Sequence, residues 1–204
     1  MSALPVLRES DHTYWLDGLQ VPGVTSILAP LCSFEFVKPE VLQAAADFGT
    51  AVHLACELDD LGTLDEEALD PALAPYLSAW RKFSADNAVK WELIESVVYH
   101  PTLRYAGKLD RYGTVKGSPA VVDIKSTTAL YASVGPQLSA YLKALPNAPI
   151  LTKRLAVQLR ADATYAVKEY TSGLDGAVFA SLVTVHNWCA ANNITPNFKE
   201  TEHV

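Results

Sequence analysis

Asp123-Ile124-Lys125 puts a carboxylate and an ammonium two residues apart. In an extended strand residues i and i+2 face one side, so Asp123 and Lys125 point together while Val122 and Ile124 enter the opposite layer. Upstream, Gly107-Lys108-Leu109-Asp110 offers a second carboxylate on a strand-like run. On neighbouring strands the two aspartates converge into a site for a hard divalent cation, Mg2+ or Mn2+, which prefers oxygen ligands. Such a cation stabilises charge on a phosphate and activates water, and the lysine can hold the phosphate or the attacking water.

Alone, Asp-x-Lys is more often a surface salt bridge than a site. Its surroundings raise it. His53 lies on an earlier helical stretch, Gly49-Thr50-Ala51-Val52-His53. Glu95 opens the first strand-like run. Gln137 and Tyr141 are four residues apart and share one helix face. A lone His53 would be a packing residue beside Val52 and Ala55; with Asp110, Asp123 and Lys125 it reads as a ligand. Glu57, one turn later, suits the site and the solvent equally. Tyr141 suits core packing and Gln137 a surface bond, or both serve the site. Trp15, Trp80, Trp91 and Trp188 read as core residues. Arg104 and Tyr105 lie between two strands, where a loop could touch a nucleic-acid strand.

The elements that must position these groups follow from periodicity. His12 to Ile27 reads as a small hairpin, turning at Asp17-Gly18, then a helix from Thr25 or Ser26. Pro39 to about Leu61 and Tyr76 to about Ala88 have apolar residues at helical spacing. The period then changes. Leu93 to His100, Tyr105 to Val115 and Ala120 to Ser126 read as a three-strand meander, with a strong turn signal at Lys116-Gly117-Ser118-Pro119. A helix over Gln137 to Leu145 follows, with Pro136 near its first turn. Strands over Arg154 to Arg160 and Thr164 to Tyr170 come next, then a last helix capped by Ser172 and ended by Asn192-Asn193 and Pro196. The expected fold class is α/β, a mixed central sheet flanked by helices. No domain boundary, repeat or low-complexity segment is visible.

The chain has 204 residues, 50% hydrophobic and 19% charged. That fills a sizeable core and excludes wholesale disorder. No run approaches the roughly 18 apolar residues of a membrane span, and Met1 to Ser10 shows no secretory pattern. The three cysteines, Cys32, Cys56 and Cys189, are far apart, so neither a disulfide framework nor a Cys-x-x-Cys site is expected. The default is a reduced, cytoplasmic protein. The formal charge of -7 hides an asymmetry: His100 to Ala161 carries nine Lys and Arg against only Asp110 and Asp123. A basic middle in an acidic chain is a local footprint for phosphate. There is no P-loop, no Gly-x-Gly-x-x-Gly after a strand and no Gly-x-Ser-x-Gly.

Taken in order, Gly49-Thr50-x-x-His53, Glu95, Gly107-x-x-Asp110, Asp123-Ile124-Lys125 and Gln137-x-x-x-Tyr141 resemble the PD-(D/E)xK nuclease superfamily in its RecB-like branch. That branch includes phage recombination exonucleases, nuclease domains of helicase–nuclease recombination enzymes and the mitochondrial genome maintenance exonuclease. Val21-Pro22-Gly23-Val24-Thr25-Ser26-Ile27-Leu28 is similar to the Pro-Ser-Val-Thr-x-Ile-Leu opening of phage and mitochondrial members, with glycine replacing serine. The match runs from about residue 12 to 170, and its specificity lies in order and spacing. It implies a restriction-endonuclease-like core in a single domain over 1–204: hairpin and helices over 1–90, catalytic sheet and helix over 91–170, C-terminal helix over 171–204. It implies that His53, Asp110, Asp123 and the Ile124 backbone carbonyl hold Mg2+ or Mn2+. Asp110, Asp123 and Lys125 would be catalytic, and Glu95, Gln137 and Tyr141 would support the site or the substrate. Leu109 stands where the superfamily name has proline. Iron–sulfur members need four cysteines, several near the C-terminus; only Cys189 lies there, so no cluster is expected.

The function implied is a metal-dependent DNA exonuclease of phage or prophage recombination or end processing. It would act in the bacterial host cytoplasm, with a recombinase or single-strand-binding protein as a candidate partner and no membrane. A catalytically inactive binding or interaction module on the same fold, and a structure- or site-specific endonuclease, are the alternatives. The number of ions and the oligomeric state are open. Two aspartates without metal repel phosphate. In a gel-shift assay, DNA should therefore be retained only with a divalent ion, Ca2+ permitting binding without cleavage; tight binding in EDTA is the contrary result.

Overall fold

The computed structural model describes residues 4–8, 10–32 and 37–195; the expected helix stop at Pro196 lies outside them. Three short strands come first, β1 (Val6–Arg8), β2 (Thr13–Leu16) and β3 (Leu19–Val21), forming an antiparallel sheet in that order. Asp17 and Gly18 turn between β2 and β3 with φ of 51° and 78°, the left-handed pair a tight hairpin requires. The expected hairpin thus gains a third strand. The following helix, α1 (Val24–Leu28), starts before Thr25, with Gly23 at its N-cap and no side-chain cap. Tertiary pairing overrides the hydroxyl signal. The Ala106 amide donates to Pro22 O at 3.0 Å, and Gly23 bridges Ala106, so the chain stays extended up to Gly23.

After a 3-10 turn (Ala29–Leu31), α2 (Pro39–Asp60) and α3 (Ala74–Asp86) follow. Each has proline in its first turn, where the missing N–H costs nothing. Gly49 does not break α2, and no close approach requires it: an added Cβ would meet Ser126 Oγ at an ordinary 3.7 Å. The main sheet then forms from β4 (Lys90–His100), β5 (Tyr105–Val115), β6 (Ser118–Lys125), β7 (Lys153–Leu159) and β8 (Tyr165–Glu169), in that spatial order. Helix α4 (Val134–Ala144) crosses between β6 and β7, which pair in parallel; parallel neighbours need such a crossover. Helix α4 begins before Gln137, with Pro136 inside its first turn. The last helix, α5 (Asp175–Ala191), is not capped by Ser172. The Ser172 hydroxyl instead accepts the Leu174 amide at 3.2 Å, in the turn that precedes the helix.

Helices cover both faces of this five-stranded mixed sheet. On one, Val24, Ile27, Leu138, Tyr141, Phe179 and Leu182 from α1, α4 and α5 pack on Leu109, Val121 and Ala156. On the other, Val52, Cys56, Trp80 and Phe83 from α2 and α3 pack on Val122, Ile124, Leu155 and Val157. Trp188 departs from expectation: it is 59% exposed. Among the described residues no helix is long and apolar enough to cross a membrane.

Strand β5 breaks its own alternation. Leu109 belongs to the α4 and α5 layer, yet Arg111 lies over the Trp80 ring, 5.5 Å from its centre, in the opposite layer. An ideal strand would send both to one side, so β5 rotates at Asp110. Three residues earlier on the same strand, a Cβ on Gly107 would meet the Tyr141 ring at 2.6 Å and Val24 Cγ2 at 3.0 Å. Gly107→Ala should therefore lose about 1–3 kcal/mol through overpacking, by urea denaturation. In a Tyr141→Leu background the added loss should shrink; an equal loss in both backgrounds would show that the ring is not what Gly107 accommodates.

Candidate active site

The site sits where β5 and β6 part. Their pairing ends at Arg111 with Val122, while β6 keeps pairing with β7 as far as Lys125 with Gln158. Beyond the last β5–β6 pair a side chain takes over from backbone. The Ile124 amide donates to Asp110 Oδ2 at 2.6 Å. Asp123 and Lys125 emerge side by side, Nζ 2.8 Å from Oδ2, and Ile124 points into the α2 and α3 layer. Asp123 is 1% exposed. Among the described residues its Oδ2 has no aligned hydrogen bond and meets the Lys125 ammonium as an ion pair.

Helix α2 brings His53 across the fork. Its Nε2 donates to Ile124 O at 3.0 Å, and its Nδ1 lies 3.5 Å from Glu95 Oε1 and 3.7 Å from Asp110 Oδ2. Ligand atoms of His53, Glu95 and Asp110 all fall within 4.8 Å of one another. Glu95 reaches the group from an unusual backbone. It lies in β4 between Ile94, paired with Arg111, and Ser96, paired with Leu109, so it faces Asp110, and its φ is 42°. A left-handed non-glycine residue inside a strand costs about 1–3 kcal/mol and concentrates at functional sites.

The electrostatics are those of a cation-seeking pocket. Burial opposes charge on His53, but Asp110, Glu95 and Asp123 outweigh it and raise its pKa to about 9. Burial pushes Asp110 up to about 6; Asp123 and Glu95 add to the rise, against His53 and Lys125. The field that keeps a second proton on His53 would equally draw a divalent cation, whose arrival releases that proton. A crowded, buried set of oxygen donors with one imidazole fits Mg2+ or Mn2+ chemistry. His53, Glu95 and Asp110 are the groups placed to hold one; the Ile124 carbonyl, expected beside them, accepts His53 Nε2 instead. Asp123 stands outside the compact group, turned to Lys125.

Lys125 is held from two sides, by Asp123 and by Gln137, whose Oε1 accepts its Nζ at 3.4 Å. Burial would lower the Lys125 pKa, but Asp123 and Asp110 raise it, so it stays an ammonium. Gln137 Nε2 in turn donates to the Tyr141 hydroxyl at 3.2 Å. Burial, with Asp110 and Asp123 nearby, keeps the Tyr141 phenol protonated. The shared helix face expected for Gln137 and Tyr141 is therefore a relay behind Lys125.

Three residues were not singled out as site groups by sequence. Arg111 is fully buried and donates to Asp60 and Glu95, and Lys108 Nζ lies 3.3 Å from Glu95 Oε2. Asp60 had a readable signal: it follows His53 by seven residues, two turns on one face. Glu57 is not in the group. The basic middle is also less free than its count suggests, since Lys108, Arg111, Lys125 and Arg154 all have carboxylate partners. Tyr105 is no strand-touching loop residue: it is buried, donates to Ala140 O at 2.9 Å and packs edge-on against Phe179.

Compared with protein-family models and with curated proteins, the chain matches none, so the chemistry of this site rests on its own residues. A ligand that binds only the folded state stabilises it, by about 2.7 kcal/mol at 100 times its Kd. Mn2+ should raise the melting temperature accordingly, and Asp110→Asn should remove that rise. Asp17→Asn, in the exposed hairpin turn, should keep it. An Mn2+ response that survives Asp110→Asn would place the ion elsewhere.

Proposed function

We propose that the chain is a divalent-metal-dependent nuclease of the PD-(D/E)xK superfamily, RecB-like branch, hydrolysing DNA phosphodiester bonds as an exonuclease. The observation that carries the reading is the fork. It gathers His53, Asp110, Asp123 and Lys125 around one opening, in chain order helix, three antiparallel strands, helix and parallel strand. That order and strand pairing support the restriction-endonuclease-like core.

His53, Glu95 and Asp110 would hold Mg2+ or Mn2+. When bound, the ion supplies charge stabilisation at a non-bridging phosphate oxygen and activates water. The chain's own residues do the rest. Lys125 has three donors; one reaches Gln137, and Asp123 holds the ammonium as an ion pair. Its remaining donor capacity would serve a phosphate oxygen or the attacking water. Gln137 and Tyr141 fix the ammonium so that little reorganisation is needed at reaction. Asp123 balances Lys125 and keeps it charged. Asp110 is locked by the Ile124 amide, which leaves its position independent of substrate. Recombination or end processing in a phage or prophage setting is the proposed use, with a recombinase or single-strand-binding protein as the proposed partner.

The test is a gel assay of end-labelled linear DNA, single- and double-stranded, with Mg2+, Mn2+ or EDTA. Label should be released only with metal, and the labelled end that is lost first gives the polarity. Lys125→Ala should cut the rate on the order of 10²–10³-fold, the range for losing one preorganised charge-stabilising donor, with the fold intact by circular dichroism. Cleavage in EDTA, or full activity in Lys125→Ala, would overturn the reading. Scission of closed circular DNA would move it to an endonuclease, and intact DNA under every condition to a binding module.

A further inference from the structure

The group that faces His53 depends on a residue that touches neither metal nor substrate. Arg111 has a side chain with no exposure, paired to Asp60 at 9% and Glu95 at 7%. Burying a guanidinium costs several kcal/mol, and a well-packed apolar residue would serve packing alone as well or better. Its neighbours in that layer, Trp80 and Val122, would accept one. What the cation does that an apolar residue cannot is bond. Its Nε donates to Asp60 Oδ2 at 2.7 Å, and its Nη1 to Glu95 Oε1 at 2.9 Å and to Asp110 O at 2.7 Å.

These bonds close a ring. Asp60 lies two turns after His53 on α2 and also accepts the Trp80 indole at 3.1 Å. Through Asp60 the guanidinium is tied to the helix that supplies His53. Through Nη1 it is tied to the two strands that supply Glu95 and Asp110. Glu95 needs the anchor, because its left-handed backbone gives its side chain a path unlike that of its strand neighbours. We infer that Arg111 is a positioning residue: backed by Asp60, it aims the Glu95 carboxylate at His53 and Asp110 and so sets the geometry of the metal group. The inference rests on the metal-site reading above. Lysine cannot substitute, since a single ammonium lacks the planar fork that reaches Asp60, Glu95 and the Asp110 carbonyl together.

The test reads Mn2+ binding without DNA, by electron paramagnetic resonance titration of free Mn2+, on protein shown to be folded by circular dichroism. Partners that orient metal ligands are worth 10–100-fold in affinity. Arg111→Lys should weaken Mn2+ binding by about that factor, and Asp60→Ala should weaken it in the same direction. In a Glu95→Gln background neither change should weaken it further, because the effect travels through Glu95. Should Arg111→Lys fail to fold, Asp60→Ala with and without Glu95→Gln decides the question. Unchanged Mn2+ affinity in a folded variant, or an equal loss in the Glu95→Gln background, would overturn the inference. Wild type that binds Mn2+ and leaves DNA intact would overturn the nuclease reading alone; wild type that binds no Mn2+ would overturn both.

Discussion

The 2.6 Å hydrogen bond from the Ile124 amide to the Asp110 carboxylate is the contact on which the rest of the structure depends. Two antiparallel strands cannot part inside a sheet without leaving buried amides and carbonyls unpaired, each at about 1–3 kcal/mol. Here a side chain takes the place of the missing strand. Asp110 satisfies the first amide past the split, and His53 satisfies the Ile124 carbonyl. The opening is thereby stable enough to persist, and the two groups that stabilise it are themselves the candidate ligands. Fold and site share one set of atoms.

That sharing has an electrostatic cost, met by pairing. Asp60, Glu95, Asp110 and Asp123 lie buried or nearly so, against Arg111, Lys108, Lys125 and a protonated His53. Removing one member of such a buried pair typically costs about 3–5 kcal/mol, because its partner is left uncompensated. Stability and ligand geometry are consequently coupled. A substitution in this cluster disturbs both, and only measurements that separate them, such as paired substitutions, are informative.

Much of this was legible in the sequence. The two-residue period over Ala120 to Ser126 placed Asp123 and Lys125 together, and the turn at Lys116-Gly117-Ser118-Pro119 made β5 and β6 neighbours, which brought Asp110 near. The helical spacing that put Gln137 beside Tyr141 held as well. What escaped were features with no periodicity. The turn of β5 between its two layers, the left-handed Glu95 and the three-residue β1 are each confined to a few residues. Arg111 escaped for the opposite reason: by composition it counted as one more surface cation of a basic segment, whereas tertiary pairing buried it. The N-terminal limits of α1 and α5 were misplaced by hydroxyl residues, Thr25, Ser26 and Ser172, whose capping preference yields to longer-range backbone bonds or to a local turn.

The split also leaves half of β5 without its second neighbour. From Tyr105 to Asp110 the strand pairs only with β4, and a bare strand edge is a template for another chain. The Pro22–Gly23 segment covers it at Ala106, through the bond to Pro22 and the bridge to Gly23, with Val24 and Tyr141 beside Gly107. The small N-terminal sheet thus acts as a plug against edge-to-edge association. What that contact guards is an edge amide, at Ala106, that would otherwise be free to pair with another chain.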